Sequence, residues 1–228
     1  MMYFDPTFLL LIPCLILGVY AQSKISSTYR KYNDIANMQG YTGLDVARKM
    51  LDDNGLYDVT ISQIGGELSD HYDPREKEVR LSYDVYYGNS ISAVGIAAHE
   101  VGHAIQHAKG YFPLRIRNTV IPITNFGSFL YLPLIILGIV LSAAPLIKWG
   151  IIFFSLIVFF QVITLPVEFN ASRRAIATLG GENILNQGEL AGAKSVLGAA
   201  ALTYVAAAVT AIFQLLRLIL IFGGGRSD

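Results

Sequence analysis

Four long apolar runs punctuate this chain, over about residues 6–21, 120–147, 150–167 and 199–222. A bilayer crossing needs roughly 20 mostly apolar residues, so each run is a candidate span, the first only just. The residues are 53% hydrophobic and 15% charged, against the ~25% charged of ordinary soluble domains. Formal net charge is zero, which removes the electrostatic footprint of a nucleic-acid binder. The single cysteine, Cys14, allows no intrachain disulfide. The expected class is a mainly α membrane protein, with about four transmembrane helices and a small α+β domain carrying a short β-sheet.

Local patterns fill in the rest. No Lys or Arg precedes the first run, and Asp5 does. A secretory signal starts with positive charge, so this run reads as an uncleaved anchor despite the small-residue pattern Val19-Tyr20-Ala21. Residues 24–38 look helical, and Thr42 is a plausible cap for a helix over 43–51 striped with Leu44, Ala47, Met50 and Leu51. Residues 57–64 and 78–86 alternate as strands do, joined through a turn around Asp73-Pro74. The second strand reads equally as an internal strand or as an edge to which an extended peptide adds. Ser90 or Ser92 caps the next helix. Pro122, Pro133 and Pro145 predict a kink or early stop in the second run, with a connection around Lys148-Trp149. Beyond the third run a polar helix passes Arg173 and Arg174 and ends at Gly180-Gly181. Arg217 in the fourth run calls for a structural partner or an interface to reach.

The chemistry sits in His99-Glu100-Val101-Gly102-His103, an H-E-x-x-H sequence on the capped helix. Positions four apart share a helix face, so both imidazoles can grip one zinc ion while Glu100 stands beside it as a base for zinc-bound water. Catalytic zinc takes three protein ligands and keeps one position open. His107 is a poor third: eight residues from His99 along one helix is a rise of about 12 Å. Its place near the helix C-terminus suits a capping or solvent-facing cation.

Glu168 is the better candidate, a carboxylate where an apolar run ends. Its other readings are an ion pair with Arg173 or Arg174, or exposure at the membrane surface. Topology bears on the choice. Segments 22–117 and 168–198 carry eleven and three of the 17 basic residues, so both are expected on the cytoplasmic side, with the N-terminus outside. Residues 120–167 then form a two-span hairpin, which returns Glu168 to the face of the membrane that holds His99 and His103.

The run Ala97-Ala98-His99-Glu100-Val101-Gly102-His103-Ala104 is followed by the hairpin and by Glu168-Phe169-Asn170-Ala171-Ser172-Arg173-Arg174-Ala175. With Asp70-His71-Tyr72-Asp73-Pro74 through Leu81-Ser82, it resembles the bacterial YugP-type membrane-bound neutral zinc metallopeptidases over nearly the whole chain. It is more distantly similar to the HtpX-like and CAAX-prenyl proteases. Their third ligand lies in E-x-x-A-D, whose Asp braces a ligand His. Here Glu168-x-x-Ala171 is followed by Ser172, a hydroxyl without charge, and Asn170 is a substitute brace.

The expected activity is that of an integral-membrane zinc endopeptidase of the gluzincin type, with one Zn2+ per chain on His99, His103 and Glu168 and with Glu100 catalytic. His71, Asn170, Ser172 and Arg174 are candidates for supporting the ligands or the transition state. A catalytically inactive metal-binding scaffold or regulator is the alternative, but structure alone does not need a carboxylate beside the first ligand. A transporter would carry several acidic or histidine residues within its spans. The expected division is an anchor over 1–21, a zincin-like cytoplasmic domain over 22–117, a hairpin over 118–167, a cytoplasmic ligand helix over 168–198, and a last span with its tail over 199–228. The expected partners are the bilayer of a bacterial cell membrane and a protein or peptide substrate, with membrane proteins the natural candidates and nucleic acid excluded.

Overall fold

The computed structural model describes residues 6–223. A 3-10 turn over Pro6–Leu11 leads into α1 (Ile12–Asn33), α2 (Gly43–Asp53), β1 (Thr60–Ile64), β2 (His71–Asp73), β3 (Glu78–Ser82), α3 (Tyr83–Tyr86), α4 (Ile91–Ala108), α5 (Phe112–Val140), α6 (Ala144–Gly181) and α7 (Gln187–Phe222). Among the described residues, four helical segments are long and apolar enough to cross a membrane: Pro6–Asn33, Phe112–Val140, Ala144–Gly181 and Gln187–Phe222. The chain divides into two compact units. One comprises Met1–Ala21, Ile116–Leu165 and Thr203–Asp228; the other comprises Gln22–Arg115 and Pro166–Leu202.

The first unit turns large apolar side chains outward. Leu15 and Ile16 on α1, Phe126 and Phe129 on α5, and Leu216 and Leu220 on α7 are exposed. Such surface suits lipid rather than water. Small residues let α5 and α6 touch: a Cβ on Gly150 would stand 2.9 Å from the Tyr131 carbonyl oxygen, and one on Gly138 2.9 Å from the Ile147 nitrogen. The turn between these helices covers residues 141–143, with Ser142 at a φ of 51°. The connection expected near Lys148-Trp149 is therefore displaced, and both residues lie inside α6. Pro145 explains the shift, because a proline in the first helical turn sacrifices no hydrogen bond and starts a helix rather than breaking it. Pro122 and Pro133 stay inside α5 without the expected early stop. Arg217 finds a partner, its Nε donating to Thr7 Oγ1 at 3.3 Å with the guanidinium 5.7 Å from the Phe8 ring centre.

The second unit is built on short-range signals that the chain reads correctly. Thr42 caps α2 through a reciprocal box: its hydroxyl accepts from the Asp45 backbone N–H, and the Asp45 carboxylate accepts from that of Thr42. Such a cap contributes about 1 kcal/mol. Ser90 caps α4, accepting from the Ala93 N–H at 3.0 Å. The hydroxyls of Ser90 and Ser92 also donate to Asn33 Oδ1 and the Tyr29 carbonyl, which fixes the start of α4 against the end of α1.

The sheet differs from the sequence expectation. Its order is β1-β3-β2, with β1 and β3 parallel and β2 and β3 antiparallel. The Asp73-Pro74 turn joins β3 to β2, a three-residue strand too short to show alternation. It cannot join β1 to β3, because parallel strands need a crossover. β3 has a neighbour on each side, so the edge reading of this strand is overturned. The strand also ends at Ser82, where the Asp70 carboxylate accepts from both its N–H and its hydroxyl and the chain turns into α3.

Met50 and Leu51 of α2, Val79 and Leu81 of β3, and Val94 and Val101 of α4 are fully buried in one core. Each such side chain contributes roughly 1.5–3 kcal/mol by leaving water. α4 runs through the middle of this core. Its Gly102 backs onto α6 so closely that a Cβ would meet the Ala171 carbonyl oxygen at 2.8 Å. Ala171 and Ala175 on the facing side of α6 are completely buried. Small residues on both helices thus set the spacing at which side chains of α4 and α6 can share a ligand. At 38 residues, α6 is about 57 Å long, well beyond the ~30 Å of a hydrocarbon core. The helix carries an apolar stretch and, later in its sequence, Glu168, Asn170 and Ser172.

Candidate metal centre

Two helices supply the site. α4 presents His99 and His103 one turn apart, and α6 presents Glu168 and Ser172 one turn apart, facing them. His99 Nε2 lies 3.2 Å from Glu168 Oε2 and 3.2 Å from His103 Nε2. His103 Nε2 lies 3.5 Å from the same carboxylate oxygen. The imidazole planes are 89° apart, so the rings meet edge to face rather than stack. Each His side chain is 12% exposed, and Glu168 is 3% exposed as a residue.

These distances test whether a cation fits. Ligands about 2.0–2.1 Å from a tetrahedral zinc stand roughly 3.3–3.4 Å from one another. The three edges of the His-His-Glu triangle match that spacing. Two imidazole nitrogens and a carboxylate oxygen are also a donor set suited to zinc. The three residues form a group able to hold a metal ion.

The outer nitrogens of both rings are engaged, which sets what the inner ones can do. The Gln106 amide nitrogen donates to the Val167 carbonyl at 2.8 Å and to Asn170 Oδ1 at 3.0 Å. That leaves Gln106 Oε1 to accept from His103 Nδ1 at 3.0 Å. In the neutral ring the proton therefore sits on Nδ1, and the Nε2 lone pair faces Glu168. On the other ring, Ser172 Oγ lies 3.1 Å from His99 Nδ1. The hydroxyl thus occupies the place that a bracing Asp would take.

Electrostatics favour positive charge at this point. Burial works against a charged His103 ring, but the hydrogen bond and charge of Glu168 outweigh it and raise the His103 pKa. A divalent cation would be drawn by the same carboxylate, and its binding must expel the proton. The carboxylate of Glu100, a residue 9% exposed, makes no hydrogen bond among the described residues. Burial pushes its carboxyl above the ordinary carboxylate range, and the two nearby imidazoles pull the other way.

The remaining sequence candidates divide. Asn170 and Ser172 join the network around the rings, and Arg174 joins through its Nε, which donates to Asn170 Oδ1 at 2.8 Å. His71 lies on β2 and bonds at Nδ1 to the Ser69 carbonyl at 2.8 Å. His107, excluded as a ligand, is exposed and pairs through Nδ1 with the Tyr72 hydroxyl at 2.9 Å. Gln106 is the residue that sequence reasoning missed. Its signal was faint: an amide three residues past His103, on the buried face of an apolar helix.

A membrane protein with a His-His-Glu group able to hold a metal ion is the class that this donor set and these four helices define. The chain belongs to the family described as "Putative neutral zinc metallopeptidase", whose model matches residues 7–223. Among curated proteins, it is 49% identical over 219 residues to the "Putative membrane protease YugP" of Bacillus subtilis (strain 168), covering 96% of this chain and 97% of that one. No solved structure matches.

Proposed function

We propose that this protein is an integral-membrane zinc endopeptidase of the gluzincin type, its one zinc held by His99, His103 and Glu168. The observation that carries the reading is the convergence of three ligand atoms at 3.2, 3.2 and 3.5 Å, with the unbonded carboxylate of Glu100 next to the first of them in sequence. When bound, zinc supplies Lewis acidity, acidifying water towards a pKa of ~7 and polarising a carbonyl.

The chain's own residues do the rest. Glu100 takes the proton from the attacking water and returns it to the leaving amine. Its raised pKa suits that traffic, since a base that also acts as an acid works best near the operating pH. Gln106 keeps the His103 proton on Nδ1, and Ser172 orients His99. Asn170 holds Gln106 in place, with Arg174 behind it. His71 and Arg174 are the candidates for steadying the oxyanion. A scaffold has no evident use for Glu100, a carboxylate largely withdrawn from water beside the two rings.

We place the site on the cytoplasmic side of a bacterial cell membrane, with the N-terminus outside, because segments 22–117 and 168–198 hold most of the basic residues. Substrates reaching a site beside the spans would be membrane proteins or fragments released from them. Reporter fusions at residue 60 and at residue 142, in the turn between α5 and α6, are expected to report opposite faces; the same face at both would end this topology.

The function itself is tested by metal removal. Purified full-length protein should contain about one zinc per chain. A strong chelator should abolish cleavage of an unfolded membrane-protein substrate, and stoichiometric zinc should restore it. Undiminished cleavage by the metal-free protein would exclude the reading.

A further inference from the structure

Away from the metal centre, the polar parts of α1 and α7 enclose a groove of about 430 Å³. Lys24 and Lys31 line it from α1, with Ser27 between them, and Lys194 and Ser195 line it from α7. Lys24 and Lys31 stand two turns apart and so share a face. The lining holds three lysines and no carboxylate. None of the three forms an ion pair among the described residues. All three are exposed, and Lys31 rests 5.0 Å from the Tyr32 ring centre. Three uncompensated cations around one hollow repel one another, and an anion placed among them removes that repulsion.

The position of the groove identifies the anion. Lys24 follows Ala21, where the apolar run of α1 ends, and Ala199 and Leu202 begin the apolar stretch of α7. Both helices are long and apolar enough to span a membrane. A basic rim at the polar end of two spans lies at the depth of phospholipid phosphates. The lining joins lysines and hydroxyls to the apolar Ala199 and Leu202, matching a headgroup that continues into a chain. Gly198 keeps the floor open, since a Cβ there would meet nothing within 4 Å. A free phosphate shares the charge but has no use for the apolar lining.

We propose that this groove seats the headgroup of an anionic phospholipid, its phosphodiester among Lys24, Lys31 and Lys194 and its glycerol end towards Leu202. The proposal does not rest on the protease reading, and its failure leaves the metal centre untouched.

The test uses the full-length protein reconstituted in equal parts phosphatidylcholine and phosphatidylglycerol, with retained lipid counted by native mass spectrometry. The parent is expected to keep phosphatidylglycerol in preference to phosphatidylcholine. Replacing all three lysines, Lys24→Gln, Lys31→Gln and Lys194→Gln, should lower that retention at least ~10-fold, given the attraction each cation contributes near a membrane surface. Gly198→Leu keeps every charge and fills the floor, so it should lower retention too, which covers the case of a triple variant that fails to fold. Lys77→Gln, remote from the groove, should change nothing. Unchanged retention in Gly198→Leu and in a folded triple variant overturns the proposal. Displacement of the lipid by glycerol phosphate at equal concentration also overturns it, in favour of a soluble anion.

Discussion

Replacing Glu168 with alanine is expected to strip the metal from the protein and to reduce peptide cleavage to background. The Glu168 Oε2 atom lies within 3.5 Å of both imidazole Nε2 atoms. Without it, two neutral nitrogens remain to hold a divalent cation, and no negative charge compensates it. Loss of a residue that merely braces a ligand costs 10–100-fold in metal affinity, so loss of the ligand should exceed ~100-fold. The packing should survive, because the contact between α4 and α6 rests on Gly102, Ala171 and Ala175 rather than on position 168. Circular dichroism should therefore be unchanged while metal analysis falls from one zinc per chain to near none. A Glu168→Ala protein that still binds stoichiometric zinc would remove this residue from the site.

The same variant has a pH signature. In the parent, Glu168 raises the His103 pKa. A group raised on folding binds its proton more tightly in the native state, so protonation of the metal-free site competes with zinc as pH falls through that raised value. Zinc affinity in the parent should therefore weaken on acidification from neutral pH. In Glu168→Ala the His103 ring should titrate at lower pH, as ring-proton NMR of the metal-free protein would show.

Glu100→Gln is expected to separate chemistry from binding. Zinc content should match that of the parent, since the Glu100 carboxylate touches neither imidazole nitrogen in the hydrogen-bond network. Turnover should drop about 10²–10⁴-fold, the usual contribution of a positioned general base. The variant should also be at least as stable as the parent. Burial raises the Glu100 pKa and leaves its carboxylate without a hydrogen-bond partner among the described residues, and a neutral amide of the same shape escapes most of that desolvation cost. A midpoint of thermal unfolding equal to or above that of the parent, combined with lost activity, marks a residue kept for function at the expense of stability. Turnover equal to that of the parent would sink the assigned base.

How much of this was legible beforehand follows the range of each interaction. The helix carrying His99 and His103 could be read because its cap, its apolar face and its histidine spacing lie within one stretch of chain. α2 with its Thr42 box was legible for the same reason. Glu168, whose carboxylate meets both rings, lies 69 residues from His99, and it could be proposed from the sequence because a hairpin of two spans is expected to return the chain to the side it left. Gln106 could not be found, since an amide on a helix does not announce which carbonyl it will meet. The edge reading of β3 failed likewise: alternation says that a strand has two faces but not how many neighbours it has.

The sequence by itself determined the spans, the helix of the H-E-x-x-H motif and the kind of atom able to complete it, because burial in lipid and helical periodicity act residue by residue along the chain. Only the tertiary structure decided that Ser172 meets His99, that Gln106 fixes the tautomer of His103, and that Gly102 lets two helices approach until two imidazole nitrogens and a carboxylate oxygen stand within 3.5 Å of one another. Those outcomes depend on distances of a few tenths of an ångström between segments far apart in the chain, and close packing sets such distances only once the whole core has formed.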